Sequence, residues 1–151
     1  MRVVIGSDHG GYELKKDLIG LLKELGHEVV DFGTHSHEPV DYPDIACLVA
    51  TAVAREAGAV GIMIDGAGTG SAMTANKVPG VRAAACYDTF TARNSREHNH
   101  ANVLTLGSRN TGIEIAREIV KVWLSSSFGG SRHQRRIEKM LQVERRFMRE
   151  N

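Results

Sequence analysis

IMIDGAGTGSAMTANK, residues 62–77, decides how this chain of 151 residues is read. Ile62, Met63 and Ile64 form the apolar end of a buried strand, and Asp65 stands where that strand stops. Gly66, Gly68 and Gly70 then alternate with Ala67 and Thr69 ahead of a short helical segment that takes in Ser71. A glycine has no Cβ to keep a ligand away from backbone N–H groups, and the start of a helix favours negative charge. The stretch therefore reads as a nest for an anion or oxyanion with a carboxylate at its mouth. A dinucleotide fingerprint would need G-x-G-x-x-G after the first strand; here the third glycine comes one residue early and the loop follows the third strand. No Gly-Lys-Ser/Thr follows, so the loop is not a Walker motif. A tight turn with no ligand is the plainer alternative.

Strands and helices alternate on both sides of this loop. Upstream, Arg2–Ser7 is a β-branched strand, and Leu14, Leu18, Leu21, Leu22 and Leu25 recur at helical spacing before Gly26. His27–Phe32 is a second strand, and Pro43 opens a helix with Ile45, Leu48, Val49, Ala52 and Val53 on its apolar face. Val60–Ile64 is the third strand. Downstream come a strand at Val81–Cys86, a polar helix at Asp88–His98 and a fifth strand at Ala101–Leu106. An amphipathic helix from Ile113 to Leu124 follows, then a basic one from Ser131 to Arg149. Such βαβ units predict one α/β domain over residues 1–151, a parallel sheet with helices on both faces and ligands at the carboxyl ends of the strands. The strand order is not legible.

Composition narrows the function. Net charge is +1, which argues against a general polyanion binder. No apolar run is long enough to span a membrane, and MRVVIGSDHGG meets a glycine and an acid too early for a signal peptide. Cys47 and Cys86 sit in apolar runs and are expected to be thiols of a cytoplasmic protein.

Asp8 and His9 fall at the end of the first strand, on the functional edge of the sheet. His98 and Asn99 precede the fifth strand and so fall at the opposite edge, which makes a site using them one shared with a second chain. The pairs His35/His37 and His98/His100 lack a third ligand at a familiar spacing, so no metal is expected. Arg132 and Arg136 lie four apart on one helical face, where two guanidinium groups can clamp a phosphate; a solvated basic face is the plainer reading. Nucleic acid is not expected, because no aromatic platform accompanies the charge.

SDHGGYELK (7–15), VDYPD (40–44), GTGSAMTANKVPGVRAA (68–84), ARNSREHNHANVLTLGSR (92–109) and FGGSRHQRRI (128–137) together resemble the ribose-5-phosphate isomerase B family and its galactose-6-phosphate isomerase relatives. The match runs nearly the whole chain in order. The resemblance implies a Rossmann-like three-layer α/β/α sandwich with a five-stranded parallel sheet. It implies an aldose–ketose isomerase of sugar phosphates, in the pentose phosphate class of carbohydrate metabolism, without metal or organic cofactor. It also implies a homodimer, or a tetramer, with shared sites. The basic segment 131–151 is expected to pack across the partner through Met140, Leu141 and Phe147, with a solvated helix end as the plainer alternative. By position, His9, Arg132 and Arg136 would hold phosphate, with Arg109 reaching in from the partner. Asp8 would contact the sugar, and His98 of the partner would assist ring opening with Asn99 beside it. The backbone of Gly66, Ala67, Gly68, Thr69 and Gly70, with Ser71, would stabilise the enediolate.

Two positions depart from that resemblance. It leads one to expect Cys where Asp65 stands and Thr or Ser where Ala67 stands, and the Glu that some members supply is here Ser71. An Asp oxygen reaches about as far from the backbone as a Cys sulfur, and carboxylates do serve as bases in sugar isomerisation. Three readings stay open: an isomerase of ribose 5-phosphate using Asp65 as base, an isomerase with a shifted substrate, and a sugar-phosphate-binding relative with little catalysis.

Overall fold

The structure, a computed structural model, describes residues 1–148. Five strands, β1 (Arg2–Ser7), β2 (Glu28–Asp31), β3 (Val60–Asp65), β4 (Ala83–Ala85) and β5 (Val103–Gly107), form one all-parallel sheet in the order β2-β1-β3-β5-β4. Helices α1 (Tyr12–Glu24), α4 (Thr89–Glu97) and α5 (Ile113–Ser125) cover one face, and α2 (Tyr42–Arg55) and α3 (Thr69–Ala75) cover the other. The three-layer α/β/α sandwich expected from the sequence is therefore what forms.

Strand periodicity explains the layers. Successive side chains point to opposite faces. Val3, Ile5, Ile62, Ile64, Leu104 and Leu106 pack on the α1, α4 and α5 side, together with fully buried Trp123. Val4, Met63 and Val103 point the other way, to Val49 and Ala50 of α2 and Ala75 of α3. Both faces are apolar, so the strands read as unbroken apolar runs.

Most differences from the expected boundaries lie at strand ends. β4 shortens to three residues, which pair with Val103–Thr105 of β5, and Asn76 hydrogen-bonds both backbone groups of Ala83. β3 extends one residue to take in Asp65, and β5 starts at Val103 and ends on Gly107. Asp88 lies just outside α4 as its cap, accepting the Thr91 N–H at 2.7 Å.

The basic helix α6 (Arg132–Phe147) docks on its own chain. His133 and Ile137 are buried, and the Glu144 carboxylate accepts the Gly80 N–H at 3.1 Å. Met140, Val143 and Phe147 remain exposed. The expected end of this helix at Arg149 lies outside the described residues.

Candidate active site

The order of strands opens a crevice. From β1 the chain turns to α1 on one face, and from β3 it turns to α3 on the other, so the two loops part above adjacent strands. Ligands in open α/β sheets bind at such a switch point. The register Ser7↔Ile64 continues one step to set Asp8 beside Asp65, and the Asp8 N–H donates to the Ile64 carbonyl at 3.1 Å. Gly11 makes this approach possible: a Cβ there would stand 2.7 Å from the Ile64 oxygen.

Asp8 caps the 3-10 turn His9–Gly11, with Oδ1 accepting the Gly11 N–H at 3.1 Å. The residue is 8% exposed. Burial pushes its carboxyl above the usual range; the Gly11 N–H and His9 act against that, and the charge of Asp65 adds to it. His9 is exposed, and its Nδ1 lies 3.1 Å from the Val40 N–H, which donates to it. The same Nδ1 lies 3.2 Å from the Val40 carbonyl oxygen, so Val40 holds the ring at Nδ1 in either tautomer.

Asp65 is buried, and both of its oxygens accept backbone N–H groups of the following loop. Oδ1 takes that of Gly68 and Oδ2 that of Ser71 at 3.3 Å. Gly68 has φ +83°, a left-handed conformation that suits glycine, and Thr105 of β5 donates to its carbonyl at 2.6 Å. The N–H groups of Thr69 and Gly70 have no acceptor among the described residues. The Tyr42 ring lies against Gly70, and the Tyr87 hydroxyl donates to the Ala67 carbonyl at 3.0 Å. Arg109, after β5, hydrogen-bonds the Gly66 carbonyl through its N–H at 3.0 Å and lays its side chain beside Gly66. A cleft of about 370 Å³ is lined by Asp8, His9, Gly10, Gly66, Ala67, Arg109 and Asn110.

The other candidate residues gather at the opposite edge of the sheet. His98 follows α4 and stacks on His133 of α6, with ring centroids 4.1 Å apart. Arg132 Nε donates to His133 Nε2 at 3.4 Å, and the Gly129 N–H donates to the Glu97 carbonyl at 2.9 Å. Burial lowers the His133 pKa below that of a free imidazole, helped by His98, Arg132 and Arg136. Asn99 and Arg136 are exposed nearby on the same two elements, α4's end and α6.

The grouping corrects one expectation. Arg109 joins Asp8 and His9 within its own chain, because β5 pairs with β3 and their C-terminal loops adjoin. Arg132 and Arg136 stand instead with His98, because α6 begins where α4 ends. Tyr42, Asn110 and Thr105 were not singled out from the sequence. Tyr42 opens α2 beside Pro43, Asn110 follows the end of β5, and Thr105 is the polar residue inside an apolar strand, which were the available signals. His35 and His37 pair with Asp31 and Glu13, and no three potential metal ligands converge among the described residues.

An anion nest with flanking carboxylates at the switch point of a five-stranded parallel sheet defines a class: α/β proteins that handle small anionic metabolites. The comparisons carry the assignment further. Residues 3–140 match the family described as Ribose/Galactose Isomerase, and the chain belongs to that family. It is 44% identical over 145 residues to ribose-5-phosphate isomerase B of Escherichia coli, covering 96% of this chain and 97% of that one. Ribose-5-phosphate isomerase B of Clostridium thermocellum superposes with a TM-score of 0.95 at 49% identity, covering 98% of this chain and 100% of the other. The Mycoplasma genitalium enzyme with bound ribulose-5-phosphate gives a TM-score of 0.92 at 42% identity, covering 95% and 96%.

Proposed function

We propose that this protein interconverts ribose 5-phosphate and ribulose 5-phosphate through an enediolate, as an enzyme that needs no cofactor. The observation that carries this is the nest at the switch point, where the free N–H groups of Thr69 and Gly70 lie next to a buried carboxylate. Asp65 is the base: it takes the proton from C2 and returns it to C1, and Gly68 and Ser71 hold its oxygens in place. The loop N–H groups meet the negative charge that develops on oxygen, in oxyanion-hole fashion. Asp8 and His9 hold the sugar phosphate from below, with Arg109 over Gly66.

His98, Asn99, Arg132 and Arg136 complete the site from a second copy of the chain, as ring-opening and phosphate-binding groups. Their gathering at the edge opposite Asp65 supports a homodimer with two shared sites. Exposed Met73 on α3 and Phe90 on α4 supply apolar surface for that contact. No described helix is long and apolar enough to cross a membrane, in keeping with a cytoplasmic enzyme.

The test is an isomerase assay over a panel of pentose and hexose phosphates. Turnover is expected with ribose 5-phosphate and lost in Asp65→Asn, which still binds it. Full activity in that variant removes the base assignment, and binding without turnover of any sugar phosphate leaves a binding protein. The absence of a hydroxyl at Ala67 favours the panel over a single substrate, since a shifted preference is the second reading.

A further inference from the structure

Moving a carbonyl from C1 to C2 requires two proton transfers on carbon and two on oxygen, and Asp65 accounts only for those on carbon. Nothing obvious in the loop handles the oxygens. Ala67 has no hydroxyl, Ser71 is fully buried, and Thr69 offers only a solvent-exposed alcohol. A group is needed that lines the cleft, stands beside Asp65 and can hold a proton.

Asp8 meets these conditions. It lines the cleft, while Asp65 lies beneath the helix start with both oxygens accepting N–H bonds. Asp8 has Oδ1 on the Gly11 N–H, with the Gly10 N–H also facing its carboxyl. The two carboxyl groups end neighbouring strands in register, pinned by the Asp8–Ile64 backbone bond and the close packing of Gly11. A second carboxyl beside it in a buried setting disfavours the charged form of Asp8, which suits Asp8 to hold a proton. Burial raises the Asp8 carboxyl and the Asp65 charge adds to that, while the N–H groups of Gly11 and Gly10 and the charge of His9 act against it.

Resting on the isomerase reading above, we propose that Asp8 is the general acid of this site, moving protons on the sugar oxygens while Asp65 moves the proton on carbon. The Asp65 carboxylate takes the C2 proton, the C1=O bond opens to the enediolate held by the loop N–H groups, and O1 then receives the Asp8 proton. The Asp8 carboxylate then takes the proton from the O2 hydroxyl as C2=O forms, and Asp65 gives its proton to C1. Both carboxyl groups end as they began, and no external reactant is consumed. The charged groups facing Asp8 are His9 from its own turn, Asp65 from β3 and Arg109 from the loop after β5.

The experiment measures kcat, KM and the pH dependence of kcat with ribose 5-phosphate for the wild type, Asp8→Asn and Asp8→Glu. Urea midpoints are taken alongside. An acid that must be protonated gives the wild type a falling alkaline limb. Asp8→Asn is expected to lose about 10²–10⁴-fold in kcat, with KM little changed and that limb absent. Asp8→Glu, which keeps a carboxyl, should recover part of the rate and the limb. If Asp8→Asn raises KM and keeps kcat, Asp8 only binds and the proposal falls. It falls equally if the limb persists in Asp8→Asn, or, should that variant fail to fold, if the wild type and Asp8→Glu share no limb. A wild type inactive on every sugar phosphate removes the isomerase reading as well, whereas an active wild type with an unmoved Asp8→Asn profile removes this proposal alone.

Discussion

Gly11→Ala tests the geometry on which the paired carboxylates depend. The backbone at Gly11 has φ −99° and ψ 1°, which alanine tolerates, so the added methyl acts only through contact. That methyl would stand 2.7 Å from the Ile64 carbonyl oxygen and 2.9 Å from the Ile64 Cβ. These are atoms of a central strand, with no flexible tip to swing aside. Reaching ordinary contact requires the turn to move off β3 by about 0.7 Å, and Asp8 moves with it because its Oδ1 is tied to Gly11. Overpacking of this kind costs about 1–3 kcal/mol. A shift of this size at reacting groups costs on the order of 10–100-fold in rate. Urea denaturation reads the first quantity and kcat with ribose 5-phosphate the second. Gly20→Ala in α1 is the control, since nothing lies within 4 Å of its Cβ; it should leave kcat alone and stabilise the helix. A Gly11→Ala protein with the wild-type midpoint and the wild-type kcat would refute the reasoning, because the close approach would then set neither packing nor the pair.

Arg136→Ala should raise KM for ribose 5-phosphate by about 10-fold or more, the scale of one charge-assisted hydrogen bond. Unchanged affinity, read by titration calorimetry, counts against the phosphate clamp. His133 links acid stability to the same edge. Its folded pKa lies below the ordinary 6.5, so the unfolded chain binds a proton first, and stability falls as pH drops through 6.5 toward the lowered value. His133→Gln should flatten urea midpoints measured from pH 8 to pH 5, and a slope identical to wild type would exclude His133 as the cause.

The layers were legible because both faces of every central strand are apolar, and the helices announce themselves by periodicity. Strand order was not, since β3 and β5 become neighbours through packing that no local pattern records. The same gap misplaced Arg109: its partner depends on which strand lies beside β5. Asp8, Asp65 and the opposite placement of His98 were readable because a parallel sheet sends every strand end to one edge. What Asp65 does with its oxygens was not, because that depends on the left-handed turn at Gly68 and on Thr105 pinning the peptide beyond it. Tyr42 escaped notice for a related reason, its role being contact with a glycine distant in sequence.

The separation of Asp65 and His98 to opposite edges has a genetic consequence. In the proposed dimer, a chain lacking Asp65 and a chain lacking His98 are each inactive alone. Mixed together, they form dimers in which one site inherits both defects and the other inherits none. Two null alleles would thus complement each other, with roughly a quarter of the sites in a random mixture restored by two-fold symmetry. Two lesions on the same edge, such as Asp8 and Asp65, would never do so.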